Sequence, residues 1–348
     1  MNYKTIRPTK EDRGMKNALI IIASLVIPLL LIEFGLNLTN YKALKSKSSH
    51  LQNYFVKDEI IGYDIGVNNK KQTHTILDVS YDTWSNNLGC FDKEYNGEPY
   101  IYLAGDSYSW GYSKFEESWG YKLEEFTGII TLKCGVPAFG TKQELIKTTR
   151  LLEKLPTPKL IIVQYTRDND YINDYNFPDT TVRNGYLVPN NLSEETYKSF
   201  DKYCTAEKLT SPHLQRIKCL LKDHSIIYNL LKGTAHKLAQ STLSKEFLNE
   251  TGLLITNTST ITEIPYTKEH LENVKGFKTL AQKYKTKLLF VLVPSKNNKD
   301  IIKFLEKENI DYIDLKLSEN TTWKHDHHWN KKGNEEVARA VENYLLNN

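Results

Sequence analysis

From Asn17 to Leu38 the chain reads NALIIIASLVIPLLLIEFGLNL, 22 residues with a single charge, Glu33. The run is apolar on every side rather than along one stripe, which argues against a helix on the surface of a globular core. At a rise of about 1.5 Å per residue it would extend about 33 Å, enough to cross a hydrocarbon layer of about 30 Å. Pro28 predicts a kink, and Glu33 lies near the outer end, where a carboxylate reaches the interface at modest cost. Ala18 to Ile32 also has the length of a signal-peptide core, but FGLNLTNYKA offers no good small-residue cleavage site. An uncleaved transmembrane anchor over residues 17–38 is therefore expected.

Beyond the anchor the pattern changes twice. Residues 39–98 are mixed and polar with short strand-like pieces, and read as a linker and N-terminal extension. From Pro99, strands and helices alternate. YIYLA (100–104), IITLK (129–133), KLIIVQY (159–165), KLLFVLV (287–293) and YIDL (312–315) predict five strands. Helical spacing covers 115–127, 141–154, 267–285, 298–308 and about 332–346. Alternation of this kind predicts an α/β three-layer sandwich, a mostly parallel five-stranded sheet with helices on both faces. The domain would comprise residues 99–170 and 266–348. Residues 171–265 interrupt it as a polar, partly helical insertion (helix at about 214–240), a lid or acceptor-binding region over the catalytic edge.

Charge orients the anchor. Lys4, Arg7, Lys10, Arg13 and Lys16 stand against Glu11 and Asp12 in residues 1–16, a basic tail that should stay cytoplasmic. Everything after about residue 39 is then extracytoplasmic. Across the whole chain 46 Lys+Arg meet 42 Asp+Glu, which gives no reason to invoke nucleic acid. Thirty-nine aromatic residues and a 40% hydrophobic content exclude wholesale disorder. Cys90, Cys134, Cys204 and Cys219 are too few for a disulfide scaffold, and three pairings are open, Cys204 with Cys219 in one of them. The oligomeric state is not specified.

Four segments carry candidate chemistry, each at the end of a predicted strand. In LAGDSYSWG (103–111), Ser107 would sit on a tight strand-to-helix turn that exposes its hydroxyl. In KCGVPAFGTKQE (133–144), Gly135 would let the backbone approach a ligand and offer its N–H. In YTRDNDYIND (165–174), Asn169 has a side-chain amide that can donate to an oxyanion. In WKHDHHWNKKGNEEVA (323–338), Asp326 and His328 stand two apart; a histidine can deprotonate a serine when a carboxylate fixes its ring and tautomer. The histidines at 325, 327 and 328 with Asp326 could instead bind a metal, but zinc would need partners elsewhere, and no HExxH or CxxC accompanies them. Each segment alone is also an ordinary loop composition.

Taken together, in the order Ser, Gly, Asn, Asp-x-His at one sheet edge, the segments resemble the SGNH (GDSL-type) hydrolase superfamily. Ser107 matches its block I serine, Gly135 the block II glycine, Asn169 with Asp170 the block III asparagine, and Asp326 with His328 the block V pair. Trp329, Asn330 and Gly333 continue an H-W-N-x-x-G phrase, and the anchor, SNNLGCFD (85–92) and VPSK (293–296) look like the membrane-anchored subgroup. The chain departs from the family at three places. Histidine at 325 shifts the orienting acid to Asp326, Asp168 stands where a glycine is frequent, and Cys134 where an asparagine is frequent. The resemblance implies the flavodoxin-like SGNH fold, a Ser107–His328–Asp326 site, and an oxyanion hole from the N–H groups of Ser107 and Gly135 with the Asn169 amide. It implies no cofactor and no metal, and O-acyl esters of glycans as substrates. An esterase, an O-acyltransferase using the same acyl-serine, and a silent anchored binding or assembly protein remain the competing functions.

Overall fold

The computed structural model of the chain describes residues 51–190 and 266–347 except 52, 77, 78, 184, 325 and 326. It also describes residues 20, 24, 26–36, 38, 217, 221, 225–228 and 231. These residues divide between two units, 1–45 with 204–254, and 46–203 with 255–348.

The larger unit begins with two antiparallel hairpins, β1 (Phe55–Asp58) with β2 (Gly62–Ile65), and β3 (Gln72–Ile76) with β4 (Val79–Thr83). Asp58 makes the first turn, its Oδ1 accepting from the N–H groups of Ile60 and Ile61 at 2.8 and 2.9 Å. These hairpins, within the segment expected as a linker and N-terminal extension, own a core. Tyr54, Tyr63, Tyr81 and Phe91 are buried there against Trp110 and Phe139. The tyrosines carry hydroxyls that need partners when buried. Tyr63 donates to the Pro137 carbonyl at 2.6 Å, and Tyr54 donates to that of Trp84 at 2.9 Å.

The central elements follow. They are β5 (Tyr100–Ala104), α1 (Ser107–Trp110), α2 (Trp119–Thr127), β6 (Ile130–Lys133), α3 (Thr141–Leu152), β7 (Leu160–Tyr165) and α4 (Arg167–Tyr175). A hairpin, β8 (Thr180–Arg183) with β9 (Tyr186–Pro189), comes next. After the insertion come α5 (Lys268–Tyr284), β10 (Lys287–Leu292), α6 (Lys299–Lys307), β11 (Asp311–Asp314) and α7 (Lys331–Asn347).

The sheet order is β11-β10-β7-β5-β6, and every pairing is parallel. The central strands read as continuous apolar runs because both of their faces are buried. Tyr100, Tyr102 and Ala104 face a core built with Leu152 of α3, Phe277 of α5 and Ile301 of α6. Ile101 and Leu103 face the opposite core, with Trp119 and Leu123 of α2 and Val337 of α7. The expected three-layer α/β architecture is present. Growth of the sheet reverses at β5, since β6 adds on one side of it and β7, β10 and β11 add on the other. Open α/β sheets bind ligands at the carboxyl ends of strands flanking such a reversal.

Part of the expected insertion belongs to this unit. Helix α4 runs past residue 170, and the β8–β9 hairpin lies on the first hairpin, where Asn53 N–H donates to the Gly185 carbonyl at 2.8 Å. Gly62, at φ +82°, admits the Thr180 carbonyl where a Cβ would come within 2.1 Å of it. Most of 191–265, with Cys204 and Cys219, lies outside the described residues. So does part of the expected anchor. Residues 26–36 are helical and mostly exposed, and no helix among the described residues is long and apolar enough to cross a membrane.

Candidate active site

Strand β5 delivers Gly105, Asp106 and Ser107 to the edge where the sheet reverses. Gly105 has φ +146°, and a Cβ there would come within 2.5 Å of Ser109 Oγ and 2.6 Å of Gln164 Oε1. Glycine is therefore required both for the turn and for the closeness of the two neighbours. Asp106 caps α1, its Oδ1 accepting from Tyr108 N–H at 2.9 Å. Ser107 becomes the first helical residue and is only partly buried.

His328 arrives from the far end of the chain. Its Nε2 lies 2.7 Å from Ser107 Oγ, across 221 residues of sequence. The loop that carries it is fixed on both sides. Trp323 N–H donates to the His328 carbonyl at 3.0 Å and Asn330 N–H to that of Thr321 at 2.9 Å. Trp329 is buried in the core of the α2 and α7 face. Asn330 caps α7, accepting from the N–H groups of Lys332 and Gly333 at 2.9 and 3.1 Å. Gly333 leaves room for the Thr321 carbonyl, which a Cβ would approach to 2.2 Å. The H-W-N-x-x-G phrase thus reads as a loop anchor followed by a helix start. Two tyrosines flank the imidazole. The ring of Tyr112 is centred 4.0 Å from it at 33°, and that of Tyr108 4.7 Å away at 41°. Their i, i+4 spacing after GDS was the available signal. Asp326, the expected orienting acid, lies outside the described residues.

Gly135 follows β6. A Cβ there would meet Ser109 Cβ at 2.6 Å and the Trp110 backbone nitrogen at 2.7 Å. Only glycine lets this loop lie against α1, and the approach is locked by Val136 N–H donating to the Gly105 carbonyl at 3.0 Å. Gly135→Ala is expected to push the loop off α1. If Gly135 supplies an oxyanion donor, as the resemblance implies, hydrolysis should fall by about 100-fold or more, while a thermal melt still shows a folded protein. Unchanged kcat would remove Gly135 from the machinery.

Asn169 stands one turn into α4 and reaches the same edge, but its amide is engaged. Nδ2 donates to Asp106 Oδ2 at 2.8 Å and to the Phe139 carbonyl at 3.0 Å, while Oδ1 accepts from Asn173 Nδ2 at 3.0 Å. As found, Asn169 braces Asp106. To serve an oxyanion it must release one of its two N–H contacts.

Behind Ser107 lies a buried acidic group. Burial raises the pKa of Asp106 above the usual carboxylate range, and the Tyr108 N–H offsets this only in part. Burial, and next the charge of Asp106, hold Asp170 well up. Glu144 is raised well above its usual range by burial and by Asp170, Asp106 and Asp174. Neither Glu144 carboxyl oxygen has a hydrogen-bond partner among the described groups. A carboxyl whose pKa is higher folded than unfolded stabilises the fold below its unfolded pKa, and that contribution is lost as pH rises through the folded value. Glu144→Gln stays neutral at every pH. As pH rises above the ordinary carboxylate range it should gain denaturant resistance relative to the parent, read from urea midpoints; parallel curves would mean that folding does not raise the Glu144 pKa.

The loop preceding β5 is tied beneath the site. Cys90 and Cys134 form a disulfide across 44 residues. The pairing left open by sequence is settled for these two, and it lies next to Gly135.

No family model matches the chain, and no curated protein matches it. Solved structures similar to it include a lipolytic protein of the G-D-S-L family from Desulfitobacterium hafniense DCB-2, at 12% identity and a TM-score of 0.37, covering 70% of this chain and 97% of that one. A member of the same lipolytic family from Veillonella parvula DSM 2008 is 11% identical with a TM-score of 0.36, over 71% and 97% of the two chains. A carbohydrate acetylesterase from Sinorhizobium meliloti is 11% identical with a TM-score of 0.34, over 72% and 99%.

Proposed function

We propose that this chain is a serine esterase that removes O-acyl groups, acetyl in the first instance, from a glycan outside the cytoplasm. The observation that carries the reading is the 2.7 Å contact between His328 Nε2 and Ser107 Oγ at the carboxyl edge of the sheet. A serine at its ordinary pKa is a poor nucleophile, and a base within hydrogen-bond reach is what it needs. His328 takes the Ser107 proton as Oγ attacks the ester carbonyl. The oxyanion forms against the N–H groups of Ser107 and Gly135, joined by Asn169 when its amide turns from Phe139. The alcohol leaves with the proton from His328, and an acyl-serine remains. Water, deprotonated by His328, attacks that acyl group and releases the acid. Asp326 is assigned the role of holding the imidazole through Nδ1. The glycan as substrate rests on the resemblance of the four blocks to anchored SGNH hydrolases.

The extracytoplasmic, anchored location rests on the 22-residue apolar run and its basic tail. The Cys90–Cys134 disulfide supports it, since such bonds persist in oxidising compartments. The test is covalent labelling by a fluorophosphonate, with mass spectrometry of the modified peptide and acetate release from an acetylated oligosaccharide. One adduct on Ser107 and acceptor-independent acetate release are expected. Release only when a second sugar is added would convert the reading to acyl transfer. No adduct on a folded protein would leave a binding role.

A further inference from the structure

We infer that Glu33 joins the N-terminal apolar helix to Ser225, Ile226 and Ile227 of the insertion, and that the occupant of the apolar surface exposed on the two arms is a lipid bilayer. The inference rests on the anchor reading above. Glu33 Oε1 accepts from Ile226 N–H at 2.7 Å, and Oε2 accepts from Ile227 N–H and Ser225 Oγ, each at 3.0 Å. Ser225 N–H donates to the Leu221 carbonyl at 2.8 Å, directly ahead of Ile226. Ile226, Ile227 and Tyr228 are helical, and Tyr228 N–H donates to Ser225 Oγ at 3.0 Å. Glu33 is thus a helix cap supplied from 192 residues away.

The chemistry is reciprocal. First-turn N–H groups have no partner inside their own helix. A carboxylate in an apolar run needs donors to hold its charge. Away from water each is costly alone, and together they satisfy one another. This accounts for the one charge in the run.

Exposure identifies the occupant. Leu29, Leu30, Leu31 and Ile32 are 49%, 61%, 65% and 53% exposed. Four consecutive helical residues, each turned about 100° from the last, face every direction. A protein partner covers a stripe, whereas lipid surrounds. On the other arm Ile217, Leu221 and Leu231 are exposed. The sequence beside them carries Arg216, Lys218, Lys222 and Lys232. Apolar positions with flanking basic residues are the composition of a helix lying in the membrane interface. Glu33, near the outer end of the run, would hold it there.

The test uses the full chain in phosphatidylcholine vesicles, with Cys204 and Cys219 replaced by serine. A fluorophore is attached at Leu30→Cys or Leu231→Cys, and quenching by lipids brominated near the headgroup end of the acyl chain is measured. Both probes should be quenched. Glu33→Ala should abolish most of the quenching at 231 and leave that at 30; Glu33→Gln, which keeps one acceptor oxygen, should fall between. Acetate release should be unchanged in both variants. Quenching at 231 that survives Glu33→Ala would overturn the role of Glu33. Quenching at 30 but never at 231 would overturn the lipid as occupant. No quenching at 30 would overturn the anchor reading itself.

Discussion

Ser107→Ala should lower kcat for acetyl-ester hydrolysis by about 10⁴- to 10⁶-fold while leaving the melting temperature within a few degrees of the parent. The size follows from geometry. Ser107 Oγ is the atom that His328 Nε2 reaches at 2.7 Å, and without it the base has no nucleophile to activate. His328→Ala should cost a similar factor, because a serine without its base stays protonated. The double variant should be no worse than either single one, since the two groups act as a unit. Steady-state kinetics on a chromogenic acetyl ester decides it. Factors that multiply in the double variant would mean that the two residues act independently.

The largest effect on stability is expected at Asp92. Lys133 Nζ is fully buried, 3.0 Å from Asp92 Oδ1 and 3.9 Å from the centre of the Phe115 ring. Asp92 Oδ2 also accepts from Lys133 backbone N–H at 2.8 Å. Asp92→Ala strands a buried ammonium, a change that typically costs about 3–5 kcal/mol. That is a large part of the roughly 5–15 kcal/mol by which domains are stable. Burial lowers the Lys133 pKa while Asp92 opposes the fall, so removing Asp92 lowers it further. A lysine whose pKa is depressed on folding costs less as pH rises and the amine loses its proton. The deficit, read from urea midpoints, should therefore shrink from pH 7 to pH 9. A deficit below about 1 kcal/mol at pH 7 would mean that water reaches the ammonium. The pair lies directly before Cys134 and Gly135, so catalysis should weaken along with stability.

The parallel sheet was legible because burial on both faces leaves a plain mark. Tyr100 to Ala104 and Leu160 to Tyr165 have no solvent face, so each strand is an apolar run, broken only by Gln164, and bounded by polar turns. The helices showed through their spacing, and their bounds moved by only one or two residues, apart from a 3₁₀ turn at Phe115–Glu117 ahead of α2. The first two hairpins were less legible. Their strands are four or five residues long, and their core is made of tyrosines whose hydroxyls look polar in a one-dimensional pattern. Segment 165–174, an ordinary loop composition by sequence, is mostly helix α4, with Asp170, Asn173 and Asp174 buried by tertiary contacts.

By itself the sequence determined the alternation of strands and helices, the strand ends that carry Ser107 and Gly135, the loop before the last helix that carries His328, and the single charge in the apolar run. These depend on local burial and turn chemistry, which leave a period or a motif in the chain. Tertiary structure decided which cysteine Cys134 bonds, that the Asn169 amide holds Asp106, that Tyr108 and Tyr112 flank the imidazole, and that Glu33 caps Ile226 and Ile227. Most of those partners lie from 44 to more than 200 residues apart in sequence. A side chain's partner is whatever the fold brings within about 3–4 Å of it, and no local period records that.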